Sequence, residues 1–248
     1  NLGKETSLEY TPSTEFYCND KLSEDPWITK LPFVVYTVSK VIQKDITTGH
    51  IFTNLDKYSN GYFDPSSKEF RGFGKCITQT NEDFTTFKKS SASNIVEDSL
   101  MQAPIKKIIW QDLGVPRFSS MNEDEYSQKI VNSFWFNEMA KRNFPSTSVE
   151  TNLISKKLNT NQHLNSAELD KLSPEDWVDI SRATKGNIFR TETFALDRQD
   201  NSLPEIKKEL SPIKVHSSSS NIEYLQPKGQ NRYPILITKE SETITYHY

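Results

Sequence analysis

Cysteine, glycine, histidine and long apolar runs are all scarce in this 248-residue chain. Each scarcity removes a class of function. There are two cysteines, Cys18 and Cys76. Neither has a second Cys or a His at ligand spacing, which argues against a zinc site. If bridged, they would close a loop of about 57 residues and add roughly 4 kcal/mol in the chain-entropy model. Both lie in aromatic, strand-like contexts, where a free Cys behaves as a small hydrophobe. Only four histidines occur, so the usual general base is nearly absent. His50 lies in a turn, His163 in a polar stretch, His216 beside a serine run and His247 in a terminal Thr-Tyr-His-Tyr strand; none stands beside a nucleophile. No apolar run approaches the roughly 18 residues of a membrane helix. Nor is there an excess of positive charge: the net charge is −3, which argues against nucleic acid or a polybasic membrane surface. No initiator Met or signal peptide precedes the first strand pattern, which gives the chain the look of a piece of a longer polypeptide.

What is present is aromatic. Hydrophobic residues make up only 34% of the chain, yet Phe, Tyr and Trp supply 11%. Large rings allow a shallow, sheet-based core. The densest segment is Tyr58–Thr80, YSNGYFDPSSKEFRGFGKCITQT. Asn60-Gly61 is a strong signal for a two-residue hairpin, predicted to join Ile51–Tyr58 to the segment around Tyr62. Asp64-Pro65-Ser66-Ser67 predicts a second turn. Beyond it, alternation puts Glu69, Arg71, Phe73 and Lys75 on one face and Phe70, Gly72, Gly74 and Cys76 on the other. Glu69 and Arg71 are then neighbours, and the two glycines leave a groove beside Phe70 for a close approach.

Further strands are predicted at Leu8–Cys18, Phe33–Asp45 (with Val34, Tyr36, Val38 and Ile42 on one face), Ala103–Gln111, Ile188–Leu196, Ile222–Leu225, Tyr233–Thr238 and Thr243–Tyr248. A helix is predicted after Ser120 or Asn122, with Tyr126, Ile130 and Phe134 at helical spacing. A second is predicted from Ser173-Pro174-Glu175-Asp176, with Ser173 as cap and Gly186 as the left-handed stop. Residues 88–100, 145–166, 197–204 and Ser217–Ser220 read as loop or linker. The fold class expected is mainly β with a few helices, in antiparallel strands and hairpins.

Chemical motifs are thin. Arg71-Gly72-Phe73-Gly74 starts like an RNA-binding signature, but Lys75 and Thr78 stand where aromatics belong. No helix follows these glycines to cradle a phosphate. Glu123–Glu125 and Glu175, Asp176 and Asp179 are the acids expected in the first turns of helices. Arg182, Lys185 and Arg190 surround the helix stop, where they are placed to bond its terminal carbonyls or to pair with Glu192 as a rigid corner.

Several of these segments resemble a known family. GYFDPSSKEFRGFG is similar to the aromatic-Asp-Gly … Arg-Glu-Phe-Arg-Gly-Phe-Gly segment of insecticidal toxin complex (Tc) B subunits and their SpvB relatives. Tyr10–Thr14, Pro26-Trp27 and Leu31–Phe33 resemble the opening of that middle/C-terminal region. Arg182–Gly186 with Arg190-Thr191-Glu192 is similar to its Arg-Ala-Leu-Lys-Gly … Arg-Thr-Glu. Leu225–Pro227, Asn231-Arg232 and Thr245–Tyr248 resemble its closing strands. Departures are Pro65 for Gly, Lys68 for Arg, and a loose match over 87–172. The resemblance implies one region across 1–248: a strand-rich part (1–118), a helical and loop insert (119–186) and closing strands (187–248). It implies a non-enzymatic segment of a secreted toxin, without cofactor or metal. Such a segment would help build a hollow Rhs/YD-type β-shell with a C-type partner, enclosing an effector and delivering it through a pore-forming A component. On that reading Asp64, Glu69, Phe70, Arg71, Gly72, Phe73, Gly74, Arg182, Lys185, Gly186, Arg190 and Glu192 are structural. A stand-alone β-rich module binding carbohydrate or protein is the alternative. It would display tryptophans in a groove, where a shell segment buries Trp27, Trp110 and Trp177.

Overall fold

A computed structural model of the chain describes residues 3–47, 50–83, 104–115, 157–159, 172–196 and 212–248. The helix expected after Ser120 and the loops expected at 88–100 and 197–204 lie outside the described residues, as does the loop expected at 145–166 apart from Lys157–Asn159, which is a short strand rather than loop. The described strands are β1 (Lys4–Pro12), β2 (Tyr36–Asp45), β3 (Ile51–Asp64), β4 (Glu69–Asp83), β5 (Ile105–Gln111), β6 (Lys157–Asn159), β7 (Ile188–Ala195), β8 (Lys214–Gln226) and β9 (Ile235–His247). The helices are α1 (Ser13–Leu22) and α2 (Pro174–Ala183). The strands form one nine-stranded sheet, in the order β1-β2-β3-β4-β5-β7-β8. Strand β9 pairs β8 antiparallel along its whole length, and β6 pairs Asn221–Glu223 of β8 in parallel. Apart from β6 the sheet is antiparallel, as expected.

Several local expectations are corrected. Asn60-Gly61 makes no hairpin. Strand β3 runs straight through it, pairing with β4 from Ile51↔Asp83 to Asp64↔Glu69. Asn60 does take the left-handed conformation (φ 58), but Gly61 is used for proximity. A Cβ there would stand 2.9 Å from Leu31 Cδ2 and 3.0 Å from both Phe73 Cε1 and Trp27 Cζ3. Three side chains packed over the backbone select glycine here, and a turn would uncover them. The hairpin forms instead at Pro65–Lys68, where the second turn was expected. There Ser66 N and Oγ donate to Asp64 Oδ1 (3.1 and 2.6 Å) and Ser67 Oγ to Oδ2 (2.7 Å).

The simple alternation beyond Lys68 also fails. Tyr62 pairs with Gly72 and Phe63 with Phe70, so Arg71 is an extra, bulged residue. Gly72 permits the bulge with φ 95, and open space rather than a close neighbour lies beside it. The bulge shifts the faces, bringing Phe73 into edge contact with Phe70 at 5.7 Å. Both rings join Phe33, Phe63, Tyr58 and Trp27 in one aromatic cluster.

The first expected strand, Leu8–Cys18, is cut at Pro12, and Ser13–Leu22 is helical. No side chain caps the N-terminus of this helix. It is held through Phe16 on Tyr58 and through Asp20, tertiary contacts that outweigh a weak local signal. Strand β2 starts at Tyr36, leaving Phe33 and Val34 outside it and Tyr36 exposed. Ser217–Ser220 is no linker but the middle of β8, with Ser217 fully buried. The two expected closing strands after Tyr233 are one, since β9 is continuous through Lys239–Glu242.

The core follows the register. Ser59, Lys75, Trp110, Arg190 and Ser217 are successive cross-strand partners from β3 to β8. Cross-strand partners share a face, so these residues form one row, with Ser59, Trp110, Arg190 and Ser217 buried. A second apolar cluster lies between α2 and the sheet, where Ile180, Ile222 and Tyr224 pack with Trp177 and Leu236. Of the tryptophans expected to be buried, Trp110 is, while Trp27 and Trp177 are half-buried. Trp27 Nε1 donates to Asp20 Oδ2 at 2.8 Å.

Candidate functional site

The bulge determines what Arg71 does. An extra residue in one strand re-aims its side chain, and here the guanidinium lies fully buried behind the hairpin tip. Arg71 Nη2 donates to Asp64 Oδ2 (2.7 Å) and Ser67 Oγ (3.3 Å), and Nη1 donates to the Gly114 carbonyl (3.0 Å). Arg71 Nε lies 3.1 Å from Glu69 Oε2, but neither atom makes a hydrogen bond; this contact is coulombic. Glu69 reaches outward, accepting from Lys185 Nζ at 2.7 Å and lying 3.4 Å from Arg182 Nε. One carboxylate therefore sits among three cations from two distant parts of the chain. Burial pushes the Asp64 carboxyl up, but the hydrogen bonds from Ser66 and Ser67 and the Arg71 charge outweigh it and hold it below the usual carboxylate range. Glu69 is also held low, first by the Lys185 hydrogen bond, against partial burial, and then by the charges of Arg71, Lys185 and Arg182.

Helix α2 delivers the second half of the cluster. Ser173 Oγ accepts from Asp176 N (3.2 Å) while Asp176 Oδ2 accepts from Ser173 N (2.9 Å), a reciprocal capping box with Pro174 in the first turn. The helix ends at Ala183, and Gly186 (φ 83) donates its N–H to the Asp112 carbonyl at 2.8 Å. This corner sets Lys185 and Arg182 against the β3–β4 hairpin rather than on the helix's own carbonyls. Of the acids on α2, Asp176 is used by the cap and Glu175 accepts from Lys228 at 3.1 Å. Burial pushes the Asp179 carboxyl up, against the Arg182 and Lys228 charges.

Arg190 and Glu192 form a separate, deeper pair. They are two apart on β7, on one face, and Arg190 Nε donates to Glu192 Oε1 at 2.8 Å. Arg190 Nη1 donates to Ser217 Oγ at 3.2 Å. Gly74 is buried on β4 beside Phe73. The twelve residues singled out from the sequence thus fall into an ion cluster (Asp64, Glu69, Arg71, Arg182, Lys185 around the Gly186 corner), an aromatic cluster (Phe70 and Phe73, with Gly72 in the bulge and Gly74 nearby) and an internal β7 pair.

Three contributors carry no local signal. Asp20 on α1 pairs with Lys57 and accepts from Ser59 Oγ (2.7 Å) and Trp27 Nε1. Burial opposes its ionisation, but the hydrogen bonds from Lys57, Ser59 and Trp27 prevail and hold it low. Gly114 enters through its carbonyl, and Ser217 through the alternation hidden in a serine run. Among the described residues no group of three or more His, Cys, Asp or Glu side chains is placed to hold a metal. No described helix is long and apolar enough to cross a membrane. The convergent charges pair with one another, although Arg71 Nε and Glu69 Oε2 are left without hydrogen-bond partners.

Comparisons with known proteins agree with this architecture. Residues 1–106 match the middle/N-terminal region of insecticide toxin TcdB, and residues 179–248 match its middle/C-terminal region. No curated protein matches the chain. Solved structures of similar fold include the TcdB2–TccC3 complex (TM-score 0.72, 20% identity) and that complex without its hypervariable C-terminal region (0.72, 21%). The Photorhabdus luminescens Tc holotoxin pore, with a TccC3 mutation, is also similar (0.64, 21%). Each match takes in 100% of this chain and 10% of the other. With both sequence regions in order on one chain and the fold shared throughout, the protein belongs to the TcdB middle region of insecticidal toxin complex B subunits.

Proposed function

We propose that this chain is a non-catalytic building segment of a Tc-toxin B subunit. It contributes one panel of a hollow shell that, with an Rhs-type C partner, encloses an effector for delivery through the A component in a secreted complex. The observation that carries this reading is a wide sheet with two open margins. Among the described residues, β1 and β9 have sheet partners on one side only. Apolar side chains stand exposed near both margins: Leu8, Tyr10 and Tyr36 at one, Tyr233, Ile235 and Ile237 at the other. Unpaired strand edges with exposed apolar side chains invite further strands. A shell panel has that need; a self-contained binding module covers its edges. The organisation into a strand-rich part (1–118), an insert (119–186) and closing strands (187–248) belongs to this proposal. The charges of these clusters pair with one another, which suits a scaffold rather than a reaction centre.

Light scattering coupled to size exclusion tests the reading, applied to this chain and to a longer B-subunit polypeptide containing it. The chain alone is expected to self-associate, and the longer protein to remain monomeric. A monomeric, thermally robust chain that binds a sugar tightly would refute the panel reading and favour a carbohydrate-binding module.

A further inference from the structure

The two open margins differ, and each carries what the other lacks. Strand β1 is exposed on both faces from Lys4 to Tyr10, with Lys4, Glu5 and Glu9 as its charges and Leu8 and Tyr10 as its apolar residues. Strand β9 opens as Ile235-Leu236-Ile237-Thr238 and runs on into Lys239-Glu240. Seven antiparallel pairings connect β1 to β9 across the sheet. An odd number of reversals makes the two outer strands run in opposite directions. A second copy set beside the first by simple translation therefore lays its β9 antiparallel to β1, with corresponding faces on the same side.

Face matching narrows the register of that contact. Cross-strand partners share a face. Followed from β1 to β9, they place Lys4, Thr6 and Leu8 on one face with Leu236, Thr238 and Glu240, and Glu5 and Ser7 on the other with Ile237 and Lys239. One register that respects both sets puts Lys4 against Glu240, Glu5 against Lys239, Thr6 against Thr238 and Leu8 against Leu236. Opposite charges that face one another across strands stabilise the pairing, and like charges oppose it. A two-residue slip, the smallest that keeps the faces, parts both charge pairs. It sets Glu5 against Ile237 in one direction and Thr6 against Glu240 in the other. Two β1 strands related by a twofold axis offer no such match, because residues of like parity meet and Lys4 never faces Glu5 or Glu9. Lys239 bonds Glu223 of its own sheet at 2.8 Å, yet its side chain is 58% exposed at the margin.

We propose that each margin takes the opposite margin of a second copy, β1 against β9 in this register. The inference rests on the panel reading and adds to it the mode of association. The contact is head-to-tail, so an open margin remains at either end, and copies build stacks rather than a closed dimer.

Charge swaps at the two margins test this in the whole chain at low salt. One variant carries Lys4→Glu with Glu5→Lys, the other Lys239→Glu with Glu240→Lys. All four positions are exposed, and circular dichroism checks that each variant is folded. Sedimentation velocity over a dilution series gives an apparent dissociation constant. Each variant alone turns two attractive pairs repulsive and should raise that constant about tenfold. An equimolar mixture restores opposite charges at every contact and should return the constant to the wild-type value. Undiminished association of either variant alone overturns the proposal, because the altered margin is then not the contact. A mixture that associates no more tightly than its components overturns it, because β1 and β9 then do not face one another in this register. Wild-type association should also weaken as salt rises, and association indifferent to salt overturns the charge-matched register. A monomeric wild type refutes the panel reading and this contact with it, whereas the other failures leave the panel reading standing.

Discussion

Replacing Arg71 by Met tests the hairpin cluster most directly. Methionine keeps much of the volume, so no large cavity confounds the result. The Arg71 side chain is 0% exposed and its partner Asp64 2%, so the substitution strands a carboxylate out of water. Breaking a buried pair by removing one partner costs about 3–5 kcal/mol. Asp64 keeps its bonds from Ser66 and Ser67, which pulls the cost toward the lower end. The Gly114 carbonyl loses its Arg71 donor, which adds about 1 kcal/mol or more if it stays dry. The sum is about 4 kcal/mol, or roughly 8–16 °C in Tm for a chain of this size. Denaturant unfolding of wild type, Arg71→Met, Asp64→Asn and the double variant closes a cycle. The double variant should be clearly less destabilised than the two single losses combined, because neutralising Asp64 removes the stranded charge. The pH dependence carries the same logic. Asp64 and Glu69 are held below their usual 3.8 and 4.5, so the stability they lend is complete above those values. It drains as pH falls through the lower folded-state values. Wild type should therefore lose stability below about pH 4 more steeply than Arg71→Met. A loss under about 1 kcal/mol for Arg71→Met, or strict additivity in the cycle, would refute the view that Arg71 organises the hairpin.

Three further outcomes are expected. Gly61→Ala should destabilise by about 1–3 kcal/mol, because its methyl group meets Leu31, Trp27 and Phe73; chemical denaturation measures it, and a neutral result would mean the rings yield freely. Ser173→Ala should cost about 1 kcal/mol through loss of the capping box, visible as a lowered Tm. Alkylation at pH 8 followed by mass spectrometry should modify exposed Cys18 quickly, and Cys76, whose thiol burial pushes up to about 12, roughly a hundredfold more slowly.

What could be read from the sequence is what neighbouring residues decide. The Asp64 turn satisfies its own carboxylate within three residues, and the Ser173–Asp176 box closes within one helical turn. Both are written locally, as are β5 and β7 with their β-branched and aromatic runs. The misreadings fall where distant residues decide. Asn60-Gly61 has the chemistry of a hairpin, yet Leu31 and Trp27, some thirty residues earlier, cover Gly61 and keep the strand straight. The α1 helix lacks an N-terminal capping side chain and lies in a stretch that favours strands, and Phe16 and Asp20 stabilise it only once β3 is beneath them. Four consecutive serines look like linker until Arg190 claims one of them from the neighbouring strand. The Arg71 bulge shows the same dependence. Two-residue periodicity cannot register an extra residue, although the Arg-Gly step, with a glycine able to take positive φ, marks where one fits.

These failures share a physical cause that bears on the scaffold role. This chain is poor in aliphatic residues, so polar side chains share its interior. Its interior includes Ser59, Arg190, Glu192 and Ser217 alongside Trp110. Buried ion pairs of this kind contribute little net stability, since desolvation offsets their attraction. Their geometry is nevertheless strict: Arg190 finds Glu192 and Ser217 only when β5, β7 and β8 are in register. Shifting the register leaves charges unpaired and buried, a penalty of several kcal/mol that an aliphatic core would not impose. A panel with open edges is especially exposed to mispairing. Internal polar rows oppose such slips while leaving both edges open for the adjoining strands that the proposed panel role calls for.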